Sequence, residues 1–344
     1  MCHAGPRLLS VQVCLYKFDR NSPKLLGVKG DSSALDIARE GDPIPPELEI
    51  DALRAHPRFA EAMRACARNT IDYHGRGRMI GWLLSDRTLF VLGLAAVGMD
   101  ADGRPDDSRS GLTPGRFKAF CVHNGVCSEG RAAAILAFMR LSGHLEAESH
   151  PADRRITRLR PTAKLFEIAR TRLRPQIAAA AMVCPQVAPA VDLFEDPEFE
   201  RRMYSSLLER YDAGMRLIPH GPALRLFAER DVGVLVLFSL LLEAPASDRL
   251  SEDTPLPLSI AALARRFRVS RTHILRLIRD GETAGLLFRA GERGEQVRFS
   301  PRLLEDLSRF VAATFQYLAL CAWQAMPTDE TNGPEIEAPA TEAR

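Results

Sequence analysis

A set of residues in the first half of this chain returns about 140 positions later, in the same order. Pro57-Arg58-Phe59, with Met63 behind it, comes back as Pro197-Glu198-Phe199 with Met203. Asp86, which opens an apolar run, corresponds to Asp231. Leu112-Thr113 corresponds to Leu258-Ser259, Ser128 to Ser270, Gly143 to Gly285, and Pro161 to Pro301. The offset stays between 140 and 146, and its small drifts fall in loops. Matches held in register over such a span describe a duplicated unit, so the same fold must be built twice. The chain divides accordingly. Residues 1–50 form a head rich in Gly, Pro and Ser that is expected to be poorly ordered. The first repeat covers 51–186 and the second 190–327. The acidic tail at 328–344 is expected to be disordered.

The second repeat is the easier to read. Val232–Glu243 is an apolar helix closed by Ala244-Pro245. After a polar loop, Ser259 is a good N-cap for a short helix, Ile260–Phe267. Arg268-Val269 makes a tight turn, and Ser270 caps a second helix from Arg271 to about Ala284, ended by Gly285. The 3.6 period turns Ile274, Leu277, Ile278 and Gly281 inward and leaves Arg271, Thr272, His273, Arg276 and Arg279 outside. Two helices joined by a tight turn are the helix-turn-helix arrangement. The strand, Gly-rich turn and strand that follow, around Glu292-Arg293-Gly294-Glu295, read as a β-hairpin wing. A long amphipathic helix, Arg302–Ala325, closes the unit.

The first repeat has the same order. It holds an apolar helix at Arg87–Val97, a polar loop over Asp100–Gly111, and a helix opened by Thr113 with Pro114 at its first position. Ser128 caps the next helix, which stops at Gly143. Strands at His144–Glu148 and Ile156–Leu159 follow, and then a helix over Thr162–Val183. The expected fold is therefore mainly α with small β-hairpin wings. It consists of two tandem winged helix-turn-helix domains whose leading helices (58–72 and 198–211) and closing helices pair as a bundle, giving a monomer that acts as an intramolecular pseudo-dimer.

The segment Asp153-Arg154-Arg155-Ile156-Thr157-Arg158-Leu159-Arg160-Pro161-Thr162 resembles the wing motif of the MarR family of winged-helix regulators, and the order of elements is similar to that family's. The resemblance implies double-stranded DNA as the partner. It makes Arg155 the wing-tip arginine of the minor groove and Asp153 its orienting acid, with Arg154 and Arg158 as further wing contacts. The second repeat departs from the motif, with Arg293 as its wing arginine. Pairing of identical chains, usual in the family, is replaced here by fusion.

Local charge agrees with that reading, although the net charge is only +2. Between Ser259 and Arg302 ten arginines face four acids, and between Leu112 and Arg174 twelve lysines and arginines face five. An α-helix fits the major groove, and an arginine fork pairs with guanine O6 and N7. The candidate DNA contacts are thus Ser270, Arg271, Thr272, His273, Arg276, Arg279 and Arg293, with Ser128, Arg131, Asp153, Arg154, Arg155 and Arg158 from the first repeat. The two reading helices, 128–142 and 270–284, are unequal: Ala134 and Ala137 stand where Arg276 and Arg279 do, so an asymmetric, imperfectly palindromic site is expected.

Other classes are disfavoured. The seven cysteines include no C-x-x-C pair, which points to reduced cytoplasmic thiols and no zinc knuckle. No apolar run reaches the roughly 18 residues of a membrane span. No phosphate-loop, nucleophile-elbow or H-E-x-x-H pattern is present, so an enzyme, a cofactor and a metal site are not expected. Transcriptional regulation is the leading function, with any small-molecule effector left open. A plasmid or phage replication initiator and a protein-interaction adaptor are the alternatives.

Overall fold

Helix starts in this chain are written by hydroxyl caps. Thr113 accepts from the Arg116 N–H at 3.2 Å and Ser128 from Arg131 at 3.4 Å. In the second half Ser259 accepts from Ala262 at 3.2 Å, Ser270 from His273 at 3.0 Å and Ser300 from Leu303 at 3.1 Å. Each cap satisfies one of the orphan donors of a first helical turn. The computed structural model describes residues 48–75, 87–104, 107, 110–149, 157–245 and 251–327. The remainder of the expected head and the whole expected tail lie outside them.

The architecture is mainly helical with two small antiparallel sheets. The first half comprises α1 (Ile50–Ala55), α2 (Phe59–Gly75), α3 (Arg87–Ala101), α4 (Pro114–His123), α5 (Glu129–Leu141), β1 (Leu145–Ser149), β2 (Thr157–Pro161) and α6 (Ala163–Ala181). A 3₁₀ stretch, Pro185–Glu195, leads into α7 (Pro197–Asp212). Short turns at Ile218–His220 and Pro222–Leu224 precede α8 (Arg225–Ala228) and α9 (Gly233–Glu243). The second half ends with β3 (Leu256–Pro257), α10 (Ile260–Phe267), α11 (Arg271–Thr283), β4 (Leu287–Ala290), β5 (Gln296–Phe299) and α12 (Pro301–Ala325).

Several local features recur between the two halves. The glycines that end α5 and α11, Gly143 and Gly285, have φ of 71° and 67°, the left-handed geometry that glycine adopts without penalty. His144 N donates to Met139 O at 2.8 Å, and Leu286 N to Gly281 O at 2.9 Å. Thr162 N reaches His144 O at 3.0 Å, and Ser300 N reaches Leu286 O at 3.0 Å. The inward residues also correspond: Ala132, Ile135, Leu136 and Met139 of α5 are buried, as are Ile274, Leu277, Ile278 and Gly281 of α11.

These correspondences correct one expected match. Thr162 and Ser300 are the N-caps of α6 and α12, so Pro301 aligns with Ala163, two positions off the expected pairing with Pro161. Pro161 instead ends β2 opposite Leu145, as Phe299 stands opposite Leu287. Two further boundaries moved. α3 runs on through Asp100 to Ala101, so the polar loop starts at Asp102. The expected head is packed at its end: Leu48 is 2% exposed and its carbonyl accepts from Gln316 Nε2 at 2.9 Å.

Between the halves the helices pack reciprocally. α2 lies against α9 and α7 against α3, so each half's leading helix covers the other half's first apolar helix. α2 also packs on α6, α7 on α12, and α6 on α12. Polar contacts pin the exchange. Arg64 donates to the Leu241 and Leu242 carbonyls at the C-terminus of α9, both at 3.2 Å, and Arg201 to the Ala101 carbonyl that ends α3, at 3.3 Å. A cation at a helix C-terminus complements its orphan carbonyls and its dipole. Phe199, Met203 and Tyr204 of α7 are fully buried in this core, each contributing roughly 1.5–3 kcal/mol of burial.

Candidate nucleic-acid interface

α10 and α11 meet across a three-residue turn, Arg268-Val269-Ser270. Val269 N closes it onto Ala264 O at 3.1 Å while Arg268 takes a left-handed φ of 56°. In the first half, α4 and α5 are joined by a turn two residues longer, and Gly125 holds the same conformation at 59°. Leu263, Ala264 and Phe267 bury one face of α10, and Ile274, Leu277 and Ile278 bury the facing side of α11.

That packing leaves Thr272, Arg276, Arg279 and Thr283 as the outward stripe of α11, all exposed, with exposed Arg271 flanking the helix entry. Arg271 and Arg276 make no hydrogen bond or ion pair with any described residue. Arginines elsewhere are commonly occupied: Arg58 by Glu61, Arg116 by Asp102, Arg160 by Asp100 and Glu148, Arg170 by Glu200. The two acids of α11 are themselves turned to other partners. Asp280 takes Arg230 at 2.5 Å, and Glu282 takes Arg289 of β4 at 2.8 Å. The Arg289 hydrogen bond holds the Glu282 carboxyl below its ordinary range, with a smaller contribution from Arg279. The result is a solvent-facing stripe whose positive charge no described residue of α11 neutralises.

The expected contacts fall into several groups. Ser270 caps α11 through its side chain. His273 is half-buried and its Nε2 donates to the Asp231 carbonyl at 2.9 Å, so it ties the entry of α11 to the corner before α9. Arg293 is exposed at the hairpin tip, where its backbone N–H is taken by Glu295 at 2.9 Å. In the first half Ser128 is the cap of α5, and Arg131 is half-buried and engaged. Asp153, Arg154 and Arg155 lie outside the described residues.

Arg158 requires a correction. It is 5% exposed, and its Nη2 donates to the carbonyls of Arg104, Asp107 and Ser110 at 3.0–3.1 Å. It fastens the loop after α3 to β2 and offers nothing to an outside partner. Strand β2 also receives Leu112, whose carbonyl accepts from Leu159 N at 2.8 Å, in the place where β3 pairs with β5 in the second half.

Two tethers that hold the α11 surface escaped the sequence reading, Arg230–Asp280 and Arg289–Glu282. The second has a readable signal, an acid and an arginine seven residues apart across a glycine-ended helix and the strand after it. The first joins residues 50 apart, with no local signal. No group of three or more His, Cys, Asp or Glu able to hold a metal occurs among the described residues, and no helix there is long and apolar enough to cross a membrane. Searches of family models, curated proteins and solved structures found no match to the chain.

Proposed function

We propose that this chain is a sequence-specific double-stranded DNA-binding transcriptional regulator of MarR-like build, with two winged helix-turn-helix modules fused in tandem. On this reading α11 enters a major groove with Thr272 and Arg276 facing base edges. The β4–β5 hairpin is the wing, with Arg293 at its tip near phosphate. The observation that carries the reading is the pair Arg271 and Arg276: exposed, without partners among the described residues, and on a helix whose acids are committed elsewhere. Arginine left uncompensated in this way suits phosphate and guanine, which it binds through the same planar fork. The reciprocal packing of the halves supports a single chain doing the work of a pseudo-dimer.

A second reading, an interaction adaptor, is favoured by one observation on the first half. Leu141 at the end of α5 is 90% exposed and Val122 of α4 is 56% exposed. Leu141 borders an open depression of about 500 Å³ with Ala137, Arg140 and Leu145.

Binding of the full chain to random-sequence duplex across 50–300 mM salt separates the two. A DNA-binding protein loses affinity steeply, with a log–log slope of several units. Weak binding with no salt slope would leave the adaptor standing. A genome-wide map of bound sites then distinguishes promoters from origin-like direct repeats.

A further inference from the structure

We propose that only one of the two equivalent helices reads sequence: α11 discriminates bases through Arg276 on a guanine, while α5 sits over its half-site without reading it, so the chain recognises a one-sided, non-palindromic target. This rests on the DNA-binding reading above.

The equivalence of the helices is fixed by their frames. The caps Ser128 and Ser270, the left-handed glycines Gly143 and Gly285, and the buried sets on both helices all correspond at an offset of 142 residues. At that offset the outward stripe Thr272, Arg276, Arg279, Thr283 becomes Gly130, Ala134, Ala137, Leu141, all exposed. Not one of these four first-half side chains carries a donor or acceptor, and base-edge readout requires hydrogen-bonding groups directed into the groove. The helix entries differ in sign as well. Arg271 of α11 corresponds to Glu129 of α5, an acid held by Lys118 at 2.8 Å. A carboxylate at a helix entry repels phosphate and spends the adjacent lysine on an internal pair. The other charged groups of α5 do not restore a reading face: Arg131 is half-buried and engaged, and Arg140 stands in its last turn.

Within α11, position along the helix favours one arginine as the reader. His273 is bonded to the Asp231 carbonyl. Arg271 flanks the outward stripe by about 100°, where a phosphate is the nearer partner. Arg276 and Arg279 both lie on the stripe, exposed and without a hydrogen bond or ion pair among the described residues, and Arg276 stands about one turn nearer the helix entry, whose residues reach base edges.

The experiment is selection of bound duplexes from a randomised pool by the full chain, followed by affinity measurements on the enriched site. One block containing guanine is expected, with the segment about one helical turn away tolerant of any base. Replacing that guanine with 7-deazaguanine, which lacks the N7 acceptor, is expected to weaken binding roughly tenfold. Arg276→Ala is expected to erase the difference between guanine and its analogue. Ala134→Arg, on an exposed position, is expected to create a base preference in the tolerant segment. An enriched palindrome overturns the one-sided reading, an analogue effect that survives in Arg276→Ala overturns the assignment to Arg276, and both leave DNA binding intact. Failure to retain any duplex at low salt overturns both.

Discussion

Arg158 Nη2 lies 3.1 Å from the carbonyl oxygen of Ser110, inside the protein and 48 residues away along the chain. The same nitrogen serves Arg104 and Asp107 carbonyls and lies 3.3 Å from Ser110 Oγ. One guanidinium thus replaces the water that a loop's backbone would otherwise need. Arg158→Ala is expected to lower stability by about 2–4 kcal/mol, since several buried acceptors lose their donor together. Arg158→Lys should recover part of the loss, because all these contacts run to one nitrogen and an ammonium carries three N–H donors. Chemical denaturation of both variants measures this, and a loss under 0.5 kcal/mol would disprove the role.

At Gly98 the backbone of α3 lies close against α7. A Cβ placed there would sit 2.7 Å from the Tyr204 carbonyl oxygen and 2.8 Å from Leu208 Cβ. The backbone oxygen cannot move aside within a helix. Gly98→Ala is expected to cost about 1–3 kcal/mol, more than the helix-propensity gain of roughly 1 kcal/mol returns. Thermal unfolding should show a Tm drop of several degrees; an unchanged or higher Tm would contradict the close approach.

Arg268 carries a side chain in the left-handed region, at φ 56°. The matching turn in the first half uses Gly125. Arg268→Gly is expected to stabilise the fold by roughly 0.5–1 kcal/mol, the left-handed penalty of ~1–2 kcal/mol less glycine's extra entropy in the unfolded chain. Differential scanning calorimetry at neutral pH would register a higher Tm. A fall would mean that the arginine side chain supports the turn.

Three histidines are expected to make the fold sensitive to acid. Burial pushes His74, His144 and His220 below the ordinary histidine range, helped by Lys164 at His144 and Arg309 at His220. At His74, Asp231 opposes the shift while Arg268 and Arg172 add to it. A lowered folded-state value means that the unfolded chain takes up the proton first. Stability is therefore complete above about pH 6.5 and declines as the pH falls through that value toward the folded ones. His144 is 2% exposed, so His144→Leu is expected to flatten the fall in Tm between pH 7.5 and 5.5. An equally steep profile in the variant would rule that histidine out as a contributor.

What could be read from the chain, and what could not, follows the range of the interactions. Ser128, Ser270, Gly143 and Gly285 act within a few residues of themselves, so their caps and stops are written locally, and the inward set of α11 follows from one helical period. Arg158 was assigned to the surface because a wing arginine and a loop-binding arginine have the same neighbours in sequence; only the fold brings Ser110 to it. The stretch Pro185–Glu195 and the turns at Ile218–His220 and Pro222–Leu224 escaped for a related reason, being 3₁₀ segments punctuated by Pro185, Pro189, Pro219 and Pro222 that carry no long period. The expected bundle of leading and closing helices gave no hint that α2 would seat on α9 and α7 on α3, because an apolar stripe states that it must be covered and not by what.

That exchange of leading helices has a consequence for how the protein behaves on dilution. An ordinary two-chain assembly falls apart below its dissociation constant, and its occupancy of a target then drops with the square of the concentration. Here each half is clasped by a piece of the other along one covalent thread, so the local concentration of one half about the other is set by the thread and not by the cell. A titration should stay first order down to the lowest amount of protein that can be detected, and a few copies per cell would behave as many do.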